Sequence, residues 1–306
     1  MIEKNYAFVT VLTTDDYLIG VLSLNESLKR VNSKYPFIVV VNNNVKQETI
    51  EKMEKLGITV KKVESIDIPD GVLDKNEGTN YTRWNNTFDK LRIFGLTEFD
   101  KIVCLDSDMY IKANIDELFE EEHMAATIDR HYCTIDPNYM EMTSGVMVIV
   151  PEEGLDLKIA EKMIAVKNKL NQFGDQDLIQ EYYSNWKNEE NLHLPLVYNM
   201  FILHLDYFIK GNGNVETDCK EFQKYNLDDL KIIHFICKKK PWQFSQNEID
   251  EYIEFLEGIR KKDYEDCDVE LQKQKIEVEF EITREFSKKL TLEYMDIIDT
   301  ARKQME

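Results

Sequence analysis

The densest chemistry in the sequence lies in Val103-Cys104-Leu105-Asp106-Ser107-Asp108, an apolar run that delivers two carboxylates, one residue apart, to its end. Side chains at i and i+2 of an extended chain share a face. Neighbouring carboxylates repel unless a cation sits beside them, and oxygen ligands suit magnesium or manganese. Far along the chain, His234 lies near the end of a second apolar run and is followed by a basic triplet, Lys238 to Lys240. An imidazole there can complete a metal site with Asp106 and Asp108, and manganese accepts mixed nitrogen and oxygen ligands more readily than magnesium. A metal with a lysine beside it is a standard means of holding a diphosphate.

Three further segments have two readings each. In Phe173-Gly174-Asp175-Gln176-Asp177, the acids either cap the first turn of a helix or bring Asp175 and Gln176 to a reaction centre. Thr13-Thr14-Asp15-Asp16-Tyr17 follows the first strand, where a nucleotide base would lie, and also reads as a helix cap. Lys90, among Phe88, Leu91 and Phe94, is either a snorkelling surface lysine or a cation aimed at the site. The bland alternatives for the acidic pair and for His234 are a solvated turn and a histidine satisfied beside a charge run.

The elements that must position these residues alternate strand and helix. Residues 6–12, 36–41 and 58–63 are rich in β-branched and aromatic side chains and read as buried strands. Helical stripes at 17–31 and 45–56 separate them, the second stopped by Gly57. This βαβαβ pattern predicts a parallel sheet covered by helices. A long loop is expected at 66–85, then a helix over 88–96 and strands at 101–105, 124–128 and 145–150. Helices at 157–170 and 175–186 and a strand at 231–236 complete one domain over residues 1–245. Residues 246–306 form a charged extension, helical or mixed, in which Ile276, Val278, Phe280 and Ile282 alternate like a strand among helix-forming neighbours.

Composition bounds the function. Hydrophobic residues make up 43% of the 306, enough for a substantial core. Lys and Arg number 38 against 58 Asp and Glu, a net charge of −20, which argues against nucleic acid or anionic lipid as a partner. No apolar run reaches the roughly 18 residues of a membrane span. Five cysteines without a C-x-x-C pair, and opening residues without a signal-peptide pattern, predict a cytoplasmic protein.

Six segments in order, FVTVLTTDDY, FDKLRIFGLTEFDKIVCLDSDMYIKANIDELF, TSGVMV, FGDQDLI, HLPLVYNM and HFICKKKPW, resemble glycosyltransferase family 8, the glycogenin-like retaining enzymes. The likeness spans roughly residues 5–245. It implies an α/β fold of GT-A type, a single Rossmann-like domain with a mixed, mainly parallel sheet. It also implies a UDP-sugar donor and manganese, with magnesium as the alternative ion. By that resemblance Asp106, Asp108 and His234 are metal ligands, and Lys240 contacts the diphosphate. Leu12, Thr13, Thr14 and Tyr17 cradle the uracil, and Asp106 and Ser107 adjoin the nucleotide. Lys90, Ser144 and Gly145 lie on the donor-sugar side, Asp175 and Gln176 beside the anomeric carbon, and His193 to Pro195 with Asn199 along the acceptor side. The chain departs from the family at Cys237, where glycine is usual next to the diphosphate, and at Thr143, which replaces a common asparagine. Near Asp206 and Tyr207 it lacks an aligned counterpart of glycogenin's self-glucosylated tyrosine.

The expected reaction moves a hexose from a UDP-sugar to an acceptor hydroxyl (glycan, protein, lipid-linked sugar or polyol) with retention of configuration. Two competitors stand beside it: a haloacid-dehalogenase-like phosphatase with Asp106 as nucleophile, and a non-catalytic nucleotide-binding relative. The charged tail either docks on the domain or pairs two copies as a homodimer.

Overall fold

The computed structural model describes residues 4–79, 82–129, 140–210, 224–266 and 280–305. The apolar runs form the centre of a seven-stranded sheet. Strands β1 (Tyr6–Leu12), β2 (Phe37–Val41), β3 (Thr59–Lys62) and β4 (Lys101–Leu105) are all parallel, in the order β3-β2-β1-β4. Helices α1 (Leu18–Arg30) and α2 (Gln47–Lys55) make the crossovers. Gly57, at φ +76°, ends the second crossover in the left-handed conformation that glycine adopts without a Cβ penalty. Short strand β5 (Met109–Ile111) leaves this sheet directly after the acidic pair. Beyond β4 the sheet continues as β7 (Met142–Ile149), antiparallel to β4, then β6 (Ala126–Ile128) and β8 (His193–Leu194). The sheet is therefore mixed but mainly parallel, as expected.

β5, β9 (Met200–Phe201) and β10 (Ile232–His234) form a second, three-stranded sheet in the order β5-β10-β9. This small sheet brings the two distant clusters together. The antiparallel register pairs His234 with Met109, and Phe235 donates its N–H to the Asp108 carbonyl at 2.9 Å.

The helical expectations hold with changes of form. Residues Phe88–Gly95 are 3₁₀- rather than α-helical. Phe88, Leu91 and Phe94 recur every third residue, the spacing that a 3₁₀ turn places on one face. The stretch 157–170 is divided into α3 (Leu155–Ala160) and α4 (Met163–Lys169), and α5 (Asp175–Tyr182) stops four residues short of the expected end. A single turn, α6 (Leu205–Phe208), follows β9.

In the extension, α7 (Ile249–Asp266) and α8 (Phe280–Met305) are helices. Phe280 and Ile282 thus belong to a helix, whereas Ile276 and Val278 lie outside the described residues. The extension docks on the rest of the chain. Tyr252, Leu256, Tyr294 and Ile298 are fully buried in one apolar cluster with Phe235, Met200 and Ile233. The Tyr294 ring stacks on Phe235 at 4.8 Å and on Tyr110 at 5.7 Å. Each such side chain contributes on the order of 1.5–3 kcal/mol by burial. Arg260, 2% exposed, donates to the carbonyls of Ile202 and Leu203 and so ties α7 to the segment after β9.

One glycine sets how closely α1 approaches the acidic turn. A Cβ on Gly20 would stand 2.7 Å from the Ser107 carbonyl oxygen and 2.9 Å from the Trp242 ring. Backbone cannot yield as a flexible side chain does. Gly20→Ala is therefore expected to lower stability by about 1–3 kcal/mol, despite alanine's better helix propensity. An unchanged melting temperature would show that α1 does not rest on the turn.

Candidate active site

The carboxyl ends of β1 and β4, the site at which open α/β sheets bind ligands, border a cleft of about 520 Å³. Of the residues singled out from the sequence, Thr13, Thr14, Tyr17, Lys90, Asp106, Ser107, Asp108, Ser144, Gly145, Asp175, Gln176, His234 and Lys240 all line it. Leu12 does not. Its side chain is fully buried in the cluster formed with Val39, Val21 and Leu22. Successive side chains of β1 point to opposite faces, and Val11 rather than Leu12 lines the cleft.

One half of the cleft is built around the two carboxylates. Lys240 Nζ lies 2.6 Å from Asp108 Oδ2, and His234 Nε2 lies 3.1 Å from Asp108 Oδ1 and 3.8 Å from Asp106 Oδ2. Burial opposes charge on Asp108, but Lys240 and His234 outweigh it and hold the carboxyl well below the ordinary range. Burial pushes Asp106 the other way, upward, against the pull of Lys90. Ligand atoms of Asp106, Asp108 and His234 lie within 4.8 Å of one another. Two carboxylate oxygens and an imidazole nitrogen so placed are a donor set that fits a divalent metal ion.

The other half centres on Lys90. Its ammonium lies 2.6 Å from Asp106 Oδ1 and 3.6 Å from Asp175 Oδ2, and donates to the Ser144 carbonyl at 2.7 Å. Burial works against the charge, yet Asp106 and Asp175 raise the Lys90 pKa well above its ordinary value. Lys90 is thus a buried cation that joins the two halves rather than a surface lysine. Ser144 donates its hydroxyl to Asp175 Oδ2 at 3.0 Å and its N–H to Gln176 Oε1 at 3.0 Å. With Oε1 engaged, Gln176 offers a substrate chiefly its amide N–H groups.

The capping reading of the 173–177 segment holds. Asp177 caps the start of α5 by accepting from the Gly174 N–H at 2.8 Å, and this turn sets Asp175 and Gln176 at the cleft. Thr87 accepts from the Asp175 N–H at 3.2 Å. Trp84, Thr87 and Phe201 also line the cleft and were not singled out as site residues by motif. The long loop at 66–85 was the only sequence signal for Trp84.

The departures resolve differently. Cys237 is 5% exposed and packs in the apolar cluster under α7 and α8 instead of lining the cleft. Burial lifts its thiol to about 11 and that of Cys104 to about 12, so both are inert structural groups. Thr143 does reach the cleft, but its hydroxyl is engaged with Thr127 and Asn199. Asn199 is 3% exposed and lies behind His234 rather than on an acceptor surface.

A mixed, mainly parallel α/β sheet with an Asp-x-Asp turn at its carboxyl edge defines a GT-A glycosyltransferase fold. The structure of the galactosyltransferase LgtC with donor and acceptor sugar analogues superposes with a TM-score of 0.54 at 14% identity, covering 77% of this chain and 89% of that one. The profile of "Glycosyl transferase family 8" matches residues 8–246, and the chain belongs to that family. It is similar to glycogenin-1 of Mus musculus, 28% identical over 250 residues that make up 79% of this chain and 66% of that protein. It is also similar to galactinol synthase 1 of Solanum lycopersicum, 25% identical over 80% of this chain and 76% of that protein. The chain thus spans just under two thirds of the glycogenin that it matches. No helix among the described residues is long and apolar enough to cross a membrane.

Proposed function

We propose that the protein is a metal-dependent, retaining hexosyltransferase that moves a hexose from a UDP-sugar to an acceptor hydroxyl. One observation carries this reading: a single cleft holds Asp106, Asp108, His234 and Lys240 on one side and Asp175, Gln176 and Ser144 on the other, with Lys90 bridging them. Bound manganese would supply Lewis-acid stabilisation of the diphosphate as negative charge develops on it.

The chain's own groups supply the rest. Lys240, buried beside Asp108, adds a fixed positive charge on the diphosphate side. Thr13, Thr14 and Tyr17, at the end of β1, form the wall for the uracil. Asp175 puts a carboxylate where positive charge grows on the sugar ring. Ser144 and Lys90 both hold its Oδ2, which damps its strength as a nucleophile while leaving its field in place. This favours same-face attack assisted by the leaving phosphate over a covalent intermediate.

The non-catalytic reading leaned on Cys237 and Thr143; the Cys237 side chain packs in the core, and the Thr143 hydroxyl is engaged with Thr127 and Asn199. The phosphatase reading requires its acidic motif on the first strand, and Asp106 follows the fourth. A panel of UDP-sugars with and without manganese, read by melting temperature, tests the proposal. A ligand at a hundredfold excess over Kd adds about 2.7 kcal/mol of stability. A metal-dependent rise with one UDP-hexose, and UDP release on adding a hydroxyl acceptor, is the expected outcome. No shift with any UDP-sugar would refute it.

A further inference from the structure

Behind the cleft, His234 is one end of a buried chain of polar side chains. Its Nδ1 lies 2.9 Å from Asn199 Oδ1. Asn199 Nδ2 lies 3.1 Å from Thr127 Oγ1 and 2.7 Å from Thr143 Oγ1, and the two hydroxyls are 3.0 Å apart. All four residues are buried, at 0–5% exposure.

Counting hydrogens fixes the amide's orientation. The triangle of Asn199, Thr127 and Thr143 has three close contacts, and each needs one hydrogen. With the amide nitrogen toward the threonines, two N–H and two O–H hydrogens are available for three contacts. With the amide oxygen there instead, only the two hydroxyl hydrogens remain, and one contact becomes a bare oxygen–oxygen approach in a buried site. Leaving a buried polar group unpaired costs roughly 1–3 kcal/mol. The oxygen of Asn199 must therefore face His234. An oxygen can only accept, so Nδ1 of His234 carries a hydrogen, and Nε2, which shares a hydrogen with Asp108 at 3.1 Å when no metal is bound, is the nitrogen whose lone pair a metal held by Asp106 and Asp108 would take.

The ring plane is held separately. Phe201 meets the imidazole edge to face at 5.3 Å. A Cβ on Gly145 would stand 2.9 Å from His234 Cε1 and 3.0 Å from Nδ1, so only glycine leaves the ring its place.

We infer that Asn199, locked by Thr127 and Thr143, is a positioning residue that makes Nε2 of His234 the metal-ligating nitrogen. This gives Thr143 a role unrelated to sugar contact. The inference rests on the metal-dependent reading of the site, and it identifies residues that never touch substrate. Partners of this kind behind a ligating histidine are typically worth 10- to 100-fold in metal affinity.

Manganese alone, titrated into the full chain and followed by the electron paramagnetic resonance signal of the free ion, tests it. Melting temperature is measured alongside. Asn199→Ala removes the acceptor and is expected to weaken manganese binding by about 10- to 100-fold. Asn199→Asp gives up one hydrogen bond of the triangle but returns an acceptor to Nδ1. It is expected to lower the melting temperature as the alanine variant does, yet to keep manganese affinity within a few-fold of the parent. A merely structural role would move both variants together. Equal loss of affinity in the two, or an alanine variant that binds like the parent, overturns the inference. His234→Ala serves as the control for a lost ligand. A parent chain that takes up no manganese would sink the metal-dependent reading itself, a result distinct from either of those.

Discussion

Asp108→Asn abolishes sugar transfer and manganese-dependent UDP binding while the chain stays folded. The carboxylate sits between Lys240 at 2.6 Å and His234 at 3.1 Å, and is kept ionised by both. Asparagine has the same shape, and its one carbonyl oxygen can still accept a hydrogen bond, so packing is preserved. The negative charge is lost, and with it the anionic half of the donor set. Lys240 is then left facing a neutral amide in place of its carboxylate partner. Removal of one preorganised electrostatic contact of this kind typically costs about 2.7–4 kcal/mol, or 10²–10³ in rate. Loss of a metal ligand should exceed that range. Steady-state kinetics, UDP binding with and without manganese, and near-ultraviolet circular dichroism together check the prediction. Turnover close to that of the parent would remove Asp108 from the site.

The second large effect is expected at Lys90. Lys90→Met keeps the length of the side chain and removes the cation. Asp106 and Asp175 then lose their shared counter-ion, and the Ser144 carbonyl loses its donor. Because Lys90 touches both halves of the cleft, turnover should fall by about 10³ or more, with UDP affinity falling less. Lys90→Arg should not rescue it. A planar guanidinium fork cannot converge on three acceptors as a compact ammonium does. The elevated pKa of Lys90 also means that it stays charged across the accessible range, so no alkaline loss of activity should trace to it. Kinetics of the two variants across pH check this. Activity in the methionine variant within tenfold of the parent would show that the bridge is not part of catalysis.

The parts of the fold that were legible are those whose signal is local and periodic. β1, β2 and β4 are runs of buried β-branched and apolar residues, and the turn after β4 carries two acids that an ordinary strand end does not need. That is enough to place the site at the carboxyl edge of a parallel sheet. What stayed hidden is carried by elements too short for any period. β5 and β9 have three and two residues, yet with β10 they form the small sheet that sets His234 opposite Met109 and next to Asp108. That His234 could join Asp106 and Asp108 was legible from residue types and reinforced by the family resemblance, but no spacing rule links positions so far apart. The closeness of α1 to the acidic turn depends on Gly20, an unremarkable helix position in sequence. Asn199 carried no hydrogen-bond signal at all, since its partners at 127, 143 and 234 come from three different strands. Leu12 and Cys237 show the opposite failure. Each is adjacent in sequence to site residues, and strand alternation and packing turn both side chains into the core.

The most direct test is the anomalous scattering of manganese in a crystal grown with manganese and UDP. The expected result is a single strong peak in the cleft, coordinated by Asp106, Asp108 and Nε2 of His234, with the UDP diphosphate on its open side and Lys240 within reach of a phosphate oxygen. UDP bound with no peak at these three side chains, or a peak elsewhere in the cleft, would contradict it.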